Sequence, residues 1–358
     1  MQDQKTKYLR DALSKYAVRS TPIAIALFVA DLVIYTAAVS GAVLFTSLWA
    51  KLLCSVLAGG TICKLFVIGH DAAHGSYTDS RRLNRLIGKI AFLPTLHNFS
   101  LWQMVHNRLH HQLANFKGAN SWSPLSKLEF DRLPRWRRNV ERLYRSPLGF
   151  GPYYLVERWW KDKFFPRGPH RNNKEYWRDF ALVAGFGIIF MAGLAIVGSE
   201  TGGGAISAVF WGFVLPFAVW NSAMGMTVYL QHTHPAVPWF DSSEQWARLG
   251  RPEEVTIHVV MPTWYNYLTH HIMEHPAHHV HMKIPSYRLR PAQRELNQLL
   301  GPQAVIQPFS LGYLLKATSA CKLYNYTLHC WTDFRGRPTS GWLVDDQAPV
   351  YEPTAVVA

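Results

Sequence analysis

Three short runs of histidine carry the chemistry that this sequence can offer. HDAAH occupies residues 70–74, HNRLHH 106–111 and HPAHH 275–279. The last lies inside HHIMEHPAHHVH, in which six of twelve residues are histidine. On a helix, residues four apart share a face and sit about 6 Å apart along the axis. His70 and His74 can therefore address one region of space, and His106 and His110 repeat the relation. His111 points about 100° round the same helix, and His275, His278 and His279 have i, i+3, i+4 spacing. Adjacent histidines on one helix can face two different ions. The runs supply eight imidazoles, too many for one four-coordinate zinc and suited to a dinuclear site. Imidazole binds zinc, copper, iron and nickel alike, so ligand type alone does not choose the metal. No cysteine lies near the runs, which argues against iron–sulfur clusters and structural zinc. One HxxxH pair in a basic protein is more often surface decoration; three runs at the boundaries of apolar stretches are not explained that way.

The elements that must position these runs are apolar. Residues 22–50 are interrupted by a single charge, Asp31, and residues 52–69 by Lys64 near their end. A helix needs about 20 apolar residues to cross a bilayer, so the two stretches predict a first hairpin over residues 22–69. Asp31 would cost about 2.5–3.5 kcal/mol at the membrane centre, which predicts that it faces a helix neighbour or the interface. Residues 180–198 and 205–230 predict a second hairpin over 180–230, turned by the small polar loop at 199–204. Between the hairpins, residues 70–179 are rich in Arg and Lys. There, 87–105 is apolar but broken by Lys89, Pro94, His97 and Asn98, and predicts a helix at or dipping into the interface. Residues 132–166 mix cations with Trp, Tyr and Phe, as interfacial segments do. Residues 1–21 and 231–358 complete the polar portions. The expected fold is an all-α membrane protein: four transmembrane helices and a cytosolic helical cap that holds the metal.

Charge sets the orientation. The chain has 358 residues, 49% hydrophobic, and a net charge of +14, and nearly all its Lys and Arg lie outside the two short loops near 47–51 and 199–204. The positive-inside rule then places both termini and every histidine run in the cytosol, in a multi-pass protein of, in a bacterium, the inner membrane. The basic charge together with apolar stretches favours membrane lipid over nucleic acid as the partner, and no nucleic-acid motif is present. Four cysteines without paired spacing fit a reducing compartment. The N-terminus does not read as a cleaved signal peptide, because its apolar run starts late and runs long.

The three runs, in this order and spacing, resemble the histidine boxes of the membrane fatty acid desaturases, a family of non-haem diiron oxidoreductases. TVYLQHTHPAVPWFDSSEQW at 227–246 and IPSYRL at 284–289 extend the resemblance, closest to the Δ12 (ω-6) type, over roughly residues 45–290. It implies two iron ions (Fe2+) held by His70, His74, His106, His110, His111, His275, His278 and His279. It implies a further histidine from the end of the last span, His232, with His234 as the neighbouring candidate. The family often carries a His-Asn pair before the third box. Here the pair is His270 and His271, and a histidine in the asparagine position, His271, can itself be a ligand. Asp71, Glu274 and His270 are candidates for groups that orient the imidazoles. The family's acidic residue between the second box and its tryptophan has no clear counterpart between Asn115 and Trp122. His97, His170, His258 and His329 lack spaced partners and are left out, and His281 is expected to lie away from the metal.

The resemblance implies desaturation of a fatty acyl chain, presented as free acid, acyl-CoA or acyl-lipid, with O2 as oxidant. An unactivated C–H bond has no acidic proton, so a strong oxidant is required, and the protein's part is orientation and exclusion of water. No dinucleotide-binding fingerprint and no fused cytochrome b5 or ferredoxin pattern is present, so an external donor such as ferredoxin or a cytochrome b5-like protein is implied. The same scaffold can hydroxylate, or decarboxylate a free fatty acid oxidatively to a terminal alkene; the departures near the boxes make the latter the main rival. A metal transporter would predict ionisable residues within the spans, where Asp31 and Lys64 stand nearly alone.

Overall fold

The computed structural model describes residues 2–164 and 174–344; His170, residues 165–166 of the aromatic basic stretch and the end of the C-terminal portion lie outside them. Four helices are long and apolar enough to cross a membrane: Thr21–Leu44, Leu48–His74, Lys174–Glu200 and Ala205–His232. At 1.5 Å per residue, even the 24 residues of the first rise about 36 Å, more than the ~30 Å of hydrocarbon. The chain is an integral membrane protein. The first span ends at Leu44, six residues before the apolar run does, because residues 45–47 form the turn. The second span runs on past its apolar part to His74, so the first histidine run lies on the span's own last turns. Gly75, with φ of +64°, ends it, as a left-handed residue commonly ends a helix.

The second span is the centre of the bundle. Two-thirds of its apolar window is buried, against 17% for the third span. Gly59 and Gly60 permit this: a Cβ at the first would lie 2.6 Å from the Val219 Cβ, and at the second 2.6 Å from a Leu268 methyl. Small residues let neighbouring backbones approach. The outer faces carry Val29, Val33, Leu53, Ile188, Ile189 and Ile206 exposed, the surface that a lipid-facing bundle must present.

Asp31 faces inward. It is 1% exposed, pairs with the Lys64 amine of the second span, and lies 2.5 Å from the His270 Nε2. A carboxylate that would be costly in hydrocarbon is matched by two partners, one on the neighbouring helix and one on the segment leading to the third histidine run.

The cap is mostly helical. The apolar stretch at 87–105 is not one helix. Arg81–Ala91 and Phe99–Val105 are separate, and the break holds Leu96 at φ +51°. Arg135–Tyr144 and the wide-turned Tyr154–Phe164 carry the aromatic basic stretch. Part of its charge is matched internally, with Arg137 bridging Glu141 and Glu157. The third run forms the helix His275–Val280, followed by Ser286–Leu300. The N-terminal helix Gln2–Leu13 packs Leu9 and Leu13 against Val280, Ile284, Leu289 and Leu296. Two small strand pairs depart from an all-helical cap: His258–Val260 is parallel to Ile306–Pro308, and Leu323–Asn325 is antiparallel to Cys330–Thr332.

Removing one member of a buried charge group leaves the others unmatched and costs about 3–5 kcal/mol. Asp31→Ala is therefore expected to lower unfolding stability by about that amount, read by thermal unfolding in detergent. Asp31→Ala combined with Lys64→Leu should recover part of the loss. An unchanged transition in the single variant would show that the network does not hold the bundle to the cap.

Candidate metal centre

Nine imidazoles from four parts of the chain meet where the second and fourth spans enter the cap. They fall into two groups, His70, His74, His106, His111 and His278 in one, and His110, His232, His275 and His279 in the other. Within each group the candidate ligand atoms all lie within 4.8 Å of one another. Seven of the nine residues are buried, and His106 and His110 are partly so.

The local geometry explains the division. His70 and His74 lie four apart on one α-helical face and share the first group, as their spacing predicts. His275 and His279 do the same in the second group, while His278 turns to the first. In the second run the helix widens: the His111 N–H donates to the His106 carbonyl at 3.2 Å, an i to i+5 bond, and residues His106–His110 form a wide turn. Such turns are rare and concentrate at functional sites. Here the wide turn pairs His106 with His111, not with His110 as four-residue spacing predicts, and releases His110 to the second group.

Four close Nε2 pairs tie the rings together. His106 and His111 lie 3.1 Å apart, His111 and His278 3.1 Å, His110 and His279 3.1 Å, and His232 and His275 2.9 Å. Two metal–imidazole bonds of about 2.1 Å meeting at a right angle leave their nitrogens about 3.0 Å apart, so these separations suit rings that share an ion. His74 buries both ring nitrogens without a hydrogen-bond partner among the described residues, and an unmet buried polar atom costs free energy. An ion would satisfy one of them. Burial first, and then the neighbouring imidazoles, pulls His106, His111, His275, His278 and His279 well below the ordinary histidine range. His110 is lowered by burial and by His232 and His111, against its bond to Asn120. Unprotonated imidazoles keep the lone pair that a metal requires. The histidine groups can hold metal ions, and an all-imidazole set is compatible with iron.

The sequence profile of the fatty acid desaturase family matches residues 46–309, and all nine histidines fall inside that match. The chain belongs to the fatty acid desaturase family. It is 29% identical over 273 residues to the sn-1 oleoyl-lipid 12-desaturase of Picosynechococcus, a match covering 75% of each chain. It is 27% identical over 272 residues to the chloroplastic omega-6 fatty acid desaturase of Glycine max, covering 75% of this chain and 62% of that protein. The sn-1 acyl-lipid omega-3 desaturase (ferredoxin) of Synechocystis is 26% identical over 260 residues, covering 69% of this chain and 67% of that one. This desaturase is thus an oxidoreductase that acts on fatty acyl chains.

Among the candidate ligands, one stands apart. His271 lies in neither group. It is half-buried, its ring sits 5.5 Å from that of Tyr267, and it lines a polar cavity with His258, Glu274, Arg290 and Arg294. The reason is in the backbone: His270 and His271 have φ of +43° and +60°, and the first of them is engaged with Asp31. His234 also lies outside the groups, its Nδ1 accepting the Ala236 N–H at 3.0 Å, and so does His281, which accepts from the Lys283 N–H.

The proposed orienting residues divide as well. Asp71 lies 3.0 Å from the His70 Nδ1 and accepts the Ser286 N–H at 2.6 Å, so it joins the first run to the segment after the third. Glu274 instead lies 2.6 Å from the His258 Nε2, and His270 binds Asp31. Two asparagines that sequence reasoning passed over do orient grouped rings. The Asn120 Oδ1 lies 2.6 Å from the His110 Nδ1, and the Asn115 Oδ1 lies 3.0 Å from the His232 Nδ1. Both lie in the stretch that lacks the family's acidic residue. Residue type alone does not mark them; in the structure Asn115 sits at φ +55°, a conformation asparagine tolerates better than most residues.

Loss of a group that orients a ligand typically costs 10–100-fold in metal affinity or activity. Asn120→Ala is expected to weaken metal retention by about that factor, measured by metal content after graded chelation, while Asn120→Asp, which keeps the acceptor, retains it. Equal retention in all three proteins would remove Asn120 from the site. His278→Ala and His279→Ala probe the groups separately: each is expected to lower the metal retained by its own group and spare the other, and complete loss in both would show that the groups fill as one unit.

Proposed function

We propose that this protein desaturates a fatty acyl chain of a membrane lipid at a diiron centre held by His70, His74, His106, His110, His111, His232, His275, His278 and His279. The observation that carries the reading is the cavity beside the centre. It sets Phe66, Trp102, Met224, Val228 and Ile272 beside His70, His106, His110 and His275. An alkyl chain laid along that apolar wall would bring a methylene pair against the imidazoles and displace water.

Overall, two adjacent CH2 groups, O2, two electrons and two protons yield a cis or trans CH=CH and two waters. Iron, when bound, supplies the activation of O2 that hydrogen abstraction from an unactivated chain demands. The protein's own residues position and exclude. Trp102 stacks on the His106 ring at 4.1 Å and meets Phe66 edge-on at 5.7 Å, forming an apolar wall beside the rings. Asp71, Asn120 and Asn115 fix ring orientation from behind.

The electrons come from outside the chain in this reading. The Synechocystis relative named as a ferredoxin desaturase supports a donor of that class, and the relatives named as acyl-lipid desaturases support a lipid-borne chain. The distribution of Lys and Arg supports a cytosolic centre with both termini on that side.

A second reading has one specific observation behind it. Arg158 lines the same cavity as His106 and His110, and a guanidinium is suited to hold a carboxylate. A free fatty acid held there would present its own carboxyl end to the centre. Oxidative decarboxylation would then release CO2 and a terminal alkene, with the same consumption of O2, two electrons and two protons. Expression in a host fed fatty acid labelled at the carboxyl carbon separates the two. Desaturation leaves the label in an acyl product two hydrogens lighter, read by mass spectrometry of total lipid. A volatile alkene in the headspace with the label lost as CO2 would overturn it in favour of the second reading. Arg158→Ala is expected to spare the first reaction and to raise KM for the second.

A further inference from the structure

A second concavity lies at the end of the second span, beyond the histidine groups. Its floor is Ala72, Ala73, His74 and Gly75, and its walls include Arg81, Arg82, Arg85 and Lys283. All four cations are exposed. Arg85 has a 3.5 Å ion pair with exposed Glu175. Among the described residues, no ion pair engages Arg81, Arg82 or Lys283. The nearby carboxylate, Asp79, accepts from Thr21. The floor is well ordered by side chains from the second histidine helix: Gln103 and Asn107 donate to the Ala73 carbonyl at 2.6 and 3.1 Å, and the Lys283 amine donates to the His74 carbonyl.

We propose that this basic concavity is the docking surface for an acidic one-electron carrier protein, and that electrons enter the first histidine group through its floor. The inference rests on the desaturase reading above, which requires two electrons per turnover from outside. Each docking would transfer one electron, the carrier being oxidised by one and the desaturase reduced by one, and two dockings supply the pair. Three features meet here. The surface is strongly positive in a chain of net charge +14, as steering of an acidic partner requires. It is concave, with walls from separate segments of the chain. His74 contributes its carbonyl to the floor and its ring to the first group, so a single residue separates the outer surface from the metal-holding side chains. The other basic cavity, beside Arg290 and Arg294, includes Glu274 and no grouped histidine, and has neither the uniform charge nor the short route.

The test uses the full iron-loaded chain in phosphatidylcholine nanodiscs and a reduced plant-type [2Fe–2S] ferredoxin as probe. Arg81→Glu with Arg82→Glu leaves Lys283 and its bond to His74 in place. The second-order rate of reduction by ferredoxin is expected to fall as salt rises and to drop about tenfold or more in the double variant, with iron content and reduction by dithionite unchanged. Arg290→Glu with Arg294→Glu should leave the ferredoxin rate near that of wild type. Equal ferredoxin rates in wild type and the Arg81/Arg82 variant would overturn the proposal. So would a variant that keeps its ferredoxin rate but no longer retains phosphatidylglycerol in mixed nanodiscs, which would make the concavity a lipid headgroup site. If wild type is reduced through this surface yet forms no unsaturated product, the docking surface stands and the desaturase reading fails.

Discussion

Everything in this structure follows from the requirement that nine imidazoles, largely buried, stay aimed at one small volume. For His106, His110, His111, His275, His278 and His279, burial and the neighbouring imidazoles disfavour the cationic ring, which is poorly solvated there. Burial does not aim them. Nε2 atoms 2.9–3.1 Å apart can share a proton or a metal ion, and they keep that spacing only where the rings are restrained at their opposite edges. Asp71, Asn115 and Asn120 supply that restraint for His70, His232 and His110. For the rings without such a partner, packing does the work, as where Trp102 lies flat against His106.

The membrane spans are the rigid frame for this. The second span is the most buried helix of the four, and its last two turns are the first histidine run, so the precision of bundle packing passes directly to His70 and His74. The fourth span delivers His232 in the same way at its final residue. The third run has no span of its own. It is held indirectly, through Asp31 and His270 to the first span and through Asp71 and the Ser286 amide to the second. A carboxylate inside the bilayer region is costly to keep, and its place here is explained by what it holds: the segment just before His275.

Much of this was legible in the sequence, and what was not has definite causes. The histidine runs, the four spans and the four-residue pairing of His70 with His74 rest on short-range periodicity, which sequence displays. The partition of the second run did not, because a helix that widens by one residue leaves no mark in residue types. Asn115 and Asn120 were missed because their targets lie 117 and 10 residues away and asparagine is common in turns for local reasons. The two small strand pairs join segments too short to show alternation. The break of the 87–105 stretch was signalled by Pro94 but not located, since the left-handed Leu96 is held by groups distant in sequence, its carbonyl accepting from the Trp159 indole at 3.1 Å and its side chain lying against Gly187.

His270 and His271 show how a fold can override a residue's own chemistry. By type and position, His271 is as good a ligand as any in the chain. Two consecutive non-glycine residues at positive φ are unfavourable and persist only where the surroundings fix them. His270 is fixed by Asp31 from the first span, and Ile272, next along, is buried against the N-terminal helix and its carbonyl accepts from the Gln231 side-chain amide beside His232. The backbone between these anchors must turn sharply, and the turn carries the His271 ring to Tyr267, away from both groups. The same anchors place His275 within reach of His232. A straighter path would relieve the strain and move the third run, so the exclusion of His271 from the site and the correct placing of His275 are one geometric consequence of the bond between a buried aspartate and a histidine.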